Sequence, residues 1–232
     1  MLERDFPEVR SLPLFGKVET ANFETLMRGA YVQTFPPQIE LLREGDPCDF
    51  LHVVVDGQVE MFARWNGRET VMQTVEPLST FILAATIRDA PSLMSARTIG
   101  RSRIVLIPSQ DVREVFDIDS AFARAIVREL ASCYRDVIRH TKDLKLRNGL
   151  ERLANFLLRQ QEGAGGAPVF ELAMEKRKIA LYLGMTPENL SRALRSLEAY
   201  GVTSDGAMIS IRETADLKKL AKPTPLIDDS TL

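Results

Sequence analysis

Apolar and polar positions change their period several times along this chain. Over the first stretch, Phe23, Leu26 and Met27 share one face behind Thr20, a residue suited to a helix start. From Tyr31 to Pro108 the period drops to two, in the runs IELLRE, FLHVVV, QVEMFARW, RETVMQTV and ARTIGRSRIVLI. Pro36-Pro37, Gly45-Asp46-Pro47, Asp56-Gly57, Asn66-Gly67 and Pro77 punctuate these runs. Such alternation predicts short antiparallel strands closing into a small barrel or sandwich. Asn66-Gly67 between two runs predicts a type I′ hairpin, because both central residues there need positive φ.

Beyond residue 118 the period becomes helical. Phe122, Ile126, Leu130, Cys133, Val137, Thr141 and Leu144 step by threes and fours, which predicts a helix of roughly 28 residues, ~42 Å long. So narrow a seam on so long a helix points to pairing with a second copy through these residues. A shorter helix, LERLANFLLRQQ, follows Asn148-Gly149, and a Gly-rich turn at 163–168 leads to the strand VFELAM. In KRKIALYLGMTPENLSRALRSL, Ile179, Ala180 and Leu183 form one stripe, and Gly184 suits a left-handed helix end. Thr186 and Pro187 then suit the N-cap and first position of a second helix, which buries Leu190, Ala193, Leu194 and Leu197. VTSDGAMISI predicts a hairpin around Asp205-Gly206, the wing of a winged helix. The tail LAKPTPLIDDSTL is expected to be loose at its end, with Asp228-Asp229 solvated. The expected chain is α+β: a barrel over 1–118, a pairing helix over 119–147 and a winged helix-turn-helix over 148–232.

Charge and composition narrow the chemistry. Net charge is −2 over 232 residues, so attraction to nucleic acid has to come from a local patch. Lys176, Arg177, Lys178, Arg192 and Arg195 supply one, partly offset by Glu171, Glu175, Glu188 and Glu198. Two cysteines, Cys48 and Cys133, are too few for a disulfide framework or a four-thiolate cluster. The charged N-terminus has no apolar signal region and no run is long enough to span a membrane, so the chain reads as cytoplasmic with no membrane partner. No phosphate-binding loop, dinucleotide fingerprint, H-E-x-x-H or G-x-S-x-G occurs, and with two histidines no catalytic or metal site is expected. Glu188, Ser191, Arg192 and Arg195 on one helix face are instead equipment for reading base edges in a major groove. A non-catalytic effector-binding scaffold without DNA contacts would leave that grouping unexplained.

A small β-barrel, a long helix and a winged helix in this order resemble the Crp/Fnr family of bacterial transcription regulators. IELLREGDPCDFLHVVVDGQVEMF and RKIALYLGMTPENLSRALRSLEAYGV carry the resemblance. Its Fnr branch has a Glu-x-x-Ser-Arg pattern on the recognition helix, matched here by Glu188, Ser191 and Arg192. The resemblance implies a homodimer on double-stranded DNA with TTGAT-type half-sites, and contact with RNA polymerase if the protein is an activator. Arg192 can donate twice to guanine, Glu188 can accept from a cytosine amino group and Ser191 can meet a thymine edge. Lys176, Arg177 and Arg195 fit phosphate contacts, and Thr186 caps the helix that carries them.

Cyclic-nucleotide members of the family carry a Gly-Glu turn and an Arg-Ser or Arg-Thr pair. This chain has Leu83-Ala84 and Ser92-Leu93 at the matching places, with Arg88 and Arg97 out of register, so a cyclic phosphodiester lacks its donors. The cysteine cluster of oxygen-sensing members is missing too. Two readings stay open. Phe81, Ile82, Leu83, Ile87, Leu93 and Met94 could wall an apolar pocket for a small organic effector, with Arg88 or Arg97 pairing its carboxylate, or could simply fill a core. Haem is the remaining cofactor to weigh, with His52 as the candidate ligand and His140 and Cys133 behind it.

Overall fold

The computed structural model describes residues 5–172 and 174–229, and it divides into two compact units, 1–133 and 134–232. Ala173, inside the expected VFELAM strand, and the last three residues of the tail lie outside the described residues.

The first unit opens with helices α1 (Asp5–Ser11) and α2 (Thr20–Gly29). Strands β1 (Tyr31–Phe35), β2 (Glu40–Leu42), β3 (Phe50–Asp56), β4 (Val59–Trp65), β5 (Arg68–Val75) and β6 (Ser79–Phe81) follow. Then come α3 (Leu83–Arg88), β7 (Ser95–Thr98), β8 (Ser102–Pro108), α4 (Ser109–Ile118) and the long helix α5 (Ser120–Leu146), of which residues 120–133 belong to this unit and 134–146 to the second. Two antiparallel four-stranded sheets form, ordered β1-β8-β3-β6 and β2-β7-β4-β5. The run ARTIGRSRIVLI, read as one strand, is two, because the chain turns at Gly100-Arg101 and sends β7 and β8 to different sheets. Asn66 and Gly67 take φ of 49° and 73° between paired Trp65 and Arg68, as a type I′ turn requires.

The near-continuous apolar run FLHVVV has a physical cause. Leu51, Val53 and Val55 pack with the helices, whereas Val54 faces the other sheet. In β8, Val105 and Ile107 go to the first core, and Ile104 and Leu106 to the second. A sheet buried on both faces loses its alternation.

Helix α4 was not foreseen from the sequence, and neither was the break that separates it from α5. Asp119 makes that break: its carboxylate accepts from the Ala121 and Phe122 N–H groups, each at 2.9 Å. It also accepts from the Glu19 N–H at 2.9 Å and the Asn22 amide at 3.0 Å. These four donors outweigh burial, which alone would raise the Asp119 pKa, and bring it down to about 2. The cap therefore starts α5 and ties it to α2.

The expected pairing seam shifts as a result. Phe122 and Ile126 are wholly buried in this unit's core, where Phe122 stacks on Phe15 at 5.8 Å, so neither can face a partner chain. Leu130 is half-buried against the same core.

The second unit continues with α6 (Gly149–Gly163), β9 (Val169–Glu171), α7 (Lys176–Tyr182), α8 (Pro187–Ser196), a 3-10 turn at Leu197–Tyr200, β10 (Val202–Asp205), β11 (Met208–Ile211), α9 (Thr214–Ala221) and α10 (Pro225–Asp228). Asn148 and Glu151 form a reciprocal capping box at the start of α6. The three strands order β10-β11-β9. Leu153, Leu157, Ile179, Leu190, Leu197, Ile209 and Leu217 meet in one core.

The tail is not loose over its described part. Arg147 donates to both Asp228 carboxylate oxygens, at 2.8 and 2.6 Å, and to Asp143 at 2.8 Å. Arg159 adds a further bond to Asp228 at 2.9 Å. The expectation of a solvated Asp228 fails because Arg147, just past α5, and Arg159, on α6, converge on it from far away in sequence.

Candidate nucleic-acid interface

Helix α7 ends through a tight set of backbone bonds. The Leu183 N–H donates to Ile179 O at 2.9 Å, Gly184 N–H to Leu181 O at 3.0 Å and Met185 N–H to Ala180 O at 2.9 Å. Gly184 takes φ of 64°, and a Cβ there would lie 3.0 Å from Leu144, so both conformation and space favour glycine. Thr186 Oγ1 accepts from the Asn189 N–H at 3.2 Å and Pro187 takes the first helical position. Arg152 on α6 braces the turn, donating to Leu183 O at 2.8 Å and Arg147 O at 2.6 Å. No motif flagged Arg152; its role depends on chain segments that only folding brings together.

With Leu190 and Leu194 buried, the 3.6-residue period leaves Glu188, Ser191, Arg192 and Arg195 exposed, together with Thr186. Arg177 is exposed and Lys176 half-buried at the start of α7. Among the described residues no hydrogen bond or ion pair holds the Arg192 and Arg195 guanidiniums. Glu188 is held ionised: hydrogen bonds from its own backbone N–H and from Thr186, with the charge of Arg192 nearby, lower its pKa. The helix thus presents one acceptor-only group and two donor forks. Ser191 Oγ donates to Pro187 O at 3.0 Å, so its proton is engaged while its acceptor lone pairs stay open, a detail that spacing could not reveal.

The expected effector residues do not wall one space. Leu83 and Ile87 belong to the helix-side core, while Phe81, Ile82 and Met94 belong to the core between the sheets. Leu93 is 83% exposed, and Arg88 is exposed. Arg97 donates to Glu60 at 2.8 and 2.6 Å and to Glu69 at 2.6 Å, over the Phe62 ring at 4.3 Å. His52 is buried and stacked on Phe81 with centroids 4.6 Å apart. His140 sits beside Tyr182 at 5.5 Å.

Comparison with known proteins follows this division. Residues 32–119 match the cyclic nucleotide-binding domain, and residues 151–220 match the Crp-like helix-turn-helix domain. In tandem they take in more than half of the chain. The chain belongs to the Crp/Fnr family. It is 24% identical over 217 residues to the CRP-like cAMP-activated global transcriptional regulator of Mycobacterium tuberculosis, covering 90% of this chain and 96% of that one. To the transcriptional activator protein Anr of Pseudomonas aeruginosa it is 24% identical over 186 residues, covering 78% and 76%. The structure of FixK2 from Bradyrhizobium japonicum superposes with a TM-score of 0.69 at 25% identity, covering 84% of this chain and 98% of that one.

As a Crp/Fnr member this chain is a DNA-binding transcription regulator and not an enzyme. The residues of its barrel do not fit a cyclic nucleotide. Leu83 fills a core, Ser92 donates to Met94 O at 2.7 Å, and Arg97 is already neutralised by two carboxylates. Nor do they fit a haem, because the His52 ring is 5% exposed behind Phe81, and a porphyrin would have to displace β6. No described helix is long and apolar enough to cross a membrane.

Proposed function

We propose that this regulator binds as a homodimer to an inverted repeat of TTGAT and ATCAA half-sites, each read by Glu188, Ser191 and Arg192. The observation that carries this reading is that these side chains stand exposed together on α8 while the opposite face is buried. Arg192 supplies a bidentate fork for guanine and Glu188 an ionised acceptor for a cytosine amino group. Lys176, Arg177 and Arg195 serve the phosphates.

Pairing runs along α5, over a seam shorter than the sequence period suggested. Val127, Leu130, Tyr134, Val137, Thr141 and Leu144 alternate steps of three and four, the spacing of a two-stranded coiled coil. Val127, Tyr134 and Val137 are 60%, 68% and 61% exposed. A two-fold axis there sets the recognition helices one DNA turn, ~34 Å, apart. The barrel works without a ligand in the 81–97 stretch, since Phe81, Ile82, Leu83, Ile87 and Met94 are divided between two cores and Arg97 is paired; this supports control by no ligand there over a small organic effector.

Fluorescence anisotropy with the palindrome and a scrambled duplex tests the reading. Arg192→Ala removes about 1–3 kcal/mol per half-site, so across two half-sites the palindrome weakens roughly 30-fold or more. Scrambled DNA weakens little, and the dimer persists in sedimentation. An Arg192→Ala protein that held the palindrome at wild-type affinity would refute the assignment.

A further inference from the structure

We infer that the DNA-binding unit carries a small-molecule site of its own, for a compact oxyanion bearing a hydroxyl group. A cavity of about 470 Å³ opens between α6, the glycine turn after it, α9 and the tail. That volume lies in the range of small-ligand sites. None of the base-reading residues lines it.

Its walls hold unused polar capacity. Arg159, Lys218, Thr214 and Gln161 line the cavity with Asn155 and the carboxylates of Asp228 and Glu162, the latter exposed to solvent. Asp228 already accepts from Arg147, from Arg159 and from the Thr224 N–H at 2.7 Å. Lys218 is exposed and has no ion pair among the described residues. Thr214 Oγ1 lies 3.3 Å from Gln161 Oε1, a long bond that a stronger acceptor can replace. An anion between Lys218 and Arg159 gains two charge-assisted donors and the Thr214 hydroxyl.

Asn155 adds a demand for a donor. It is 1% exposed, and its Nδ2 donates to Glu151 O at 2.9 Å and Ala221 O at 2.6 Å. Its Oδ1 is buried without a partner among the described residues, a destabilising state unless a donor arrives. A ligand with both an anionic head and a hydroxyl answers both ends; a bare halide answers only the first. Because such an anion competes with Asp228 for Arg159, its binding bears on the tail clamp at Arg147, the residue that follows α5.

Isothermal titration of the full chain with glycerol 3-phosphate and with malate tests the site and tells a phosphate head from a carboxylate head. At least one probe should bind saturably at one site per chain. Lys218→Ala and Thr214→Val should each weaken that probe about tenfold, while Arg192→Ala should leave it unchanged. Two results overturn the inference. One is no saturable binding of either probe; the other is binding lost in Arg192→Ala but kept in Lys218→Ala, which would place the anion on the DNA-facing patch.

Discussion

Asp228→Asn removes the point on which the end of the chain converges. Arg147 is 7% exposed in its side chain and Asp228 13%, so the pair is largely out of water. Stripping one partner from a buried pair costs ~3–5 kcal/mol when the remaining charge is left alone. Here Arg147 keeps Asp143 at 2.8 Å, so we expect a smaller loss of about 2–3 kcal/mol. In a unit of roughly 100 residues, 1 kcal/mol shifts Tm by ~4–8 °C, which gives a drop of about 8–24 °C. Calorimetry of the full chain with and without duplex DNA reads it, because DNA raises only the transition of the unit that binds it. A shift below ~2 °C would refute the reasoning and return Asp228 to solvent. The pH dependence gives an independent check. Burial raises the Asp228 pKa, but the hydrogen bonds from Arg147 and Thr224 and the charges of Arg147 and Arg159 lower it more. Its contribution is therefore complete above the ordinary carboxylate range and fades as pH falls through the depressed value. Asp228→Asn should flatten that acid limb.

Other consequences follow from buried titratable groups. Burial drives the His52 pKa from 6.5 to about 4, so the folded state holds a neutral ring while the unfolded chain protonates below 6.5. Stability should fall between these values, by about 3 kcal/mol in all, and His52→Phe should abolish this slope in denaturant titrations at pH 4.5 and 7; a slope that persists would locate the effect elsewhere. Asp119→Ala should cost about 1–2 kcal/mol through loss of the α5 cap. Acid unfolding of the wild type should in part track loss of this cap as pH falls from 3.8 towards 2; equal urea midpoints for wild type and variant at pH 7 would rule the cap out.

Much of the molecule was legible before folding. Period-two runs with Asn66-Gly67 indicated the antiparallel barrel, and Gly184, Thr186 and Pro187 indicated the helix-turn-helix, because φ preference and capping are properties of a few adjacent residues. Exposure of Glu188, Ser191, Arg192 and Arg195 followed from burying the leucines opposite them. The Phe122 and Ile126 placement was misjudged for an equally physical reason. Helical spacing says which residues share a stripe, but not whether the stripe meets the chain's own core or another molecule.

Sequence by itself therefore determined the change from period-two runs to helices, the Asn66-Gly67 and Gly184 turns, the Thr186 cap and the face that α8 turns outward, since all of these rest on interactions within about four residues. Tertiary structure alone decided which apolar side chains fill which core, that Arg97 is neutralised by Glu60 and Glu69, and that Arg147 and Arg159 meet Asp228 across 81 and 69 residues. These outcomes depend on which distant groups share a desolvated space, and no local pattern encodes that pairing.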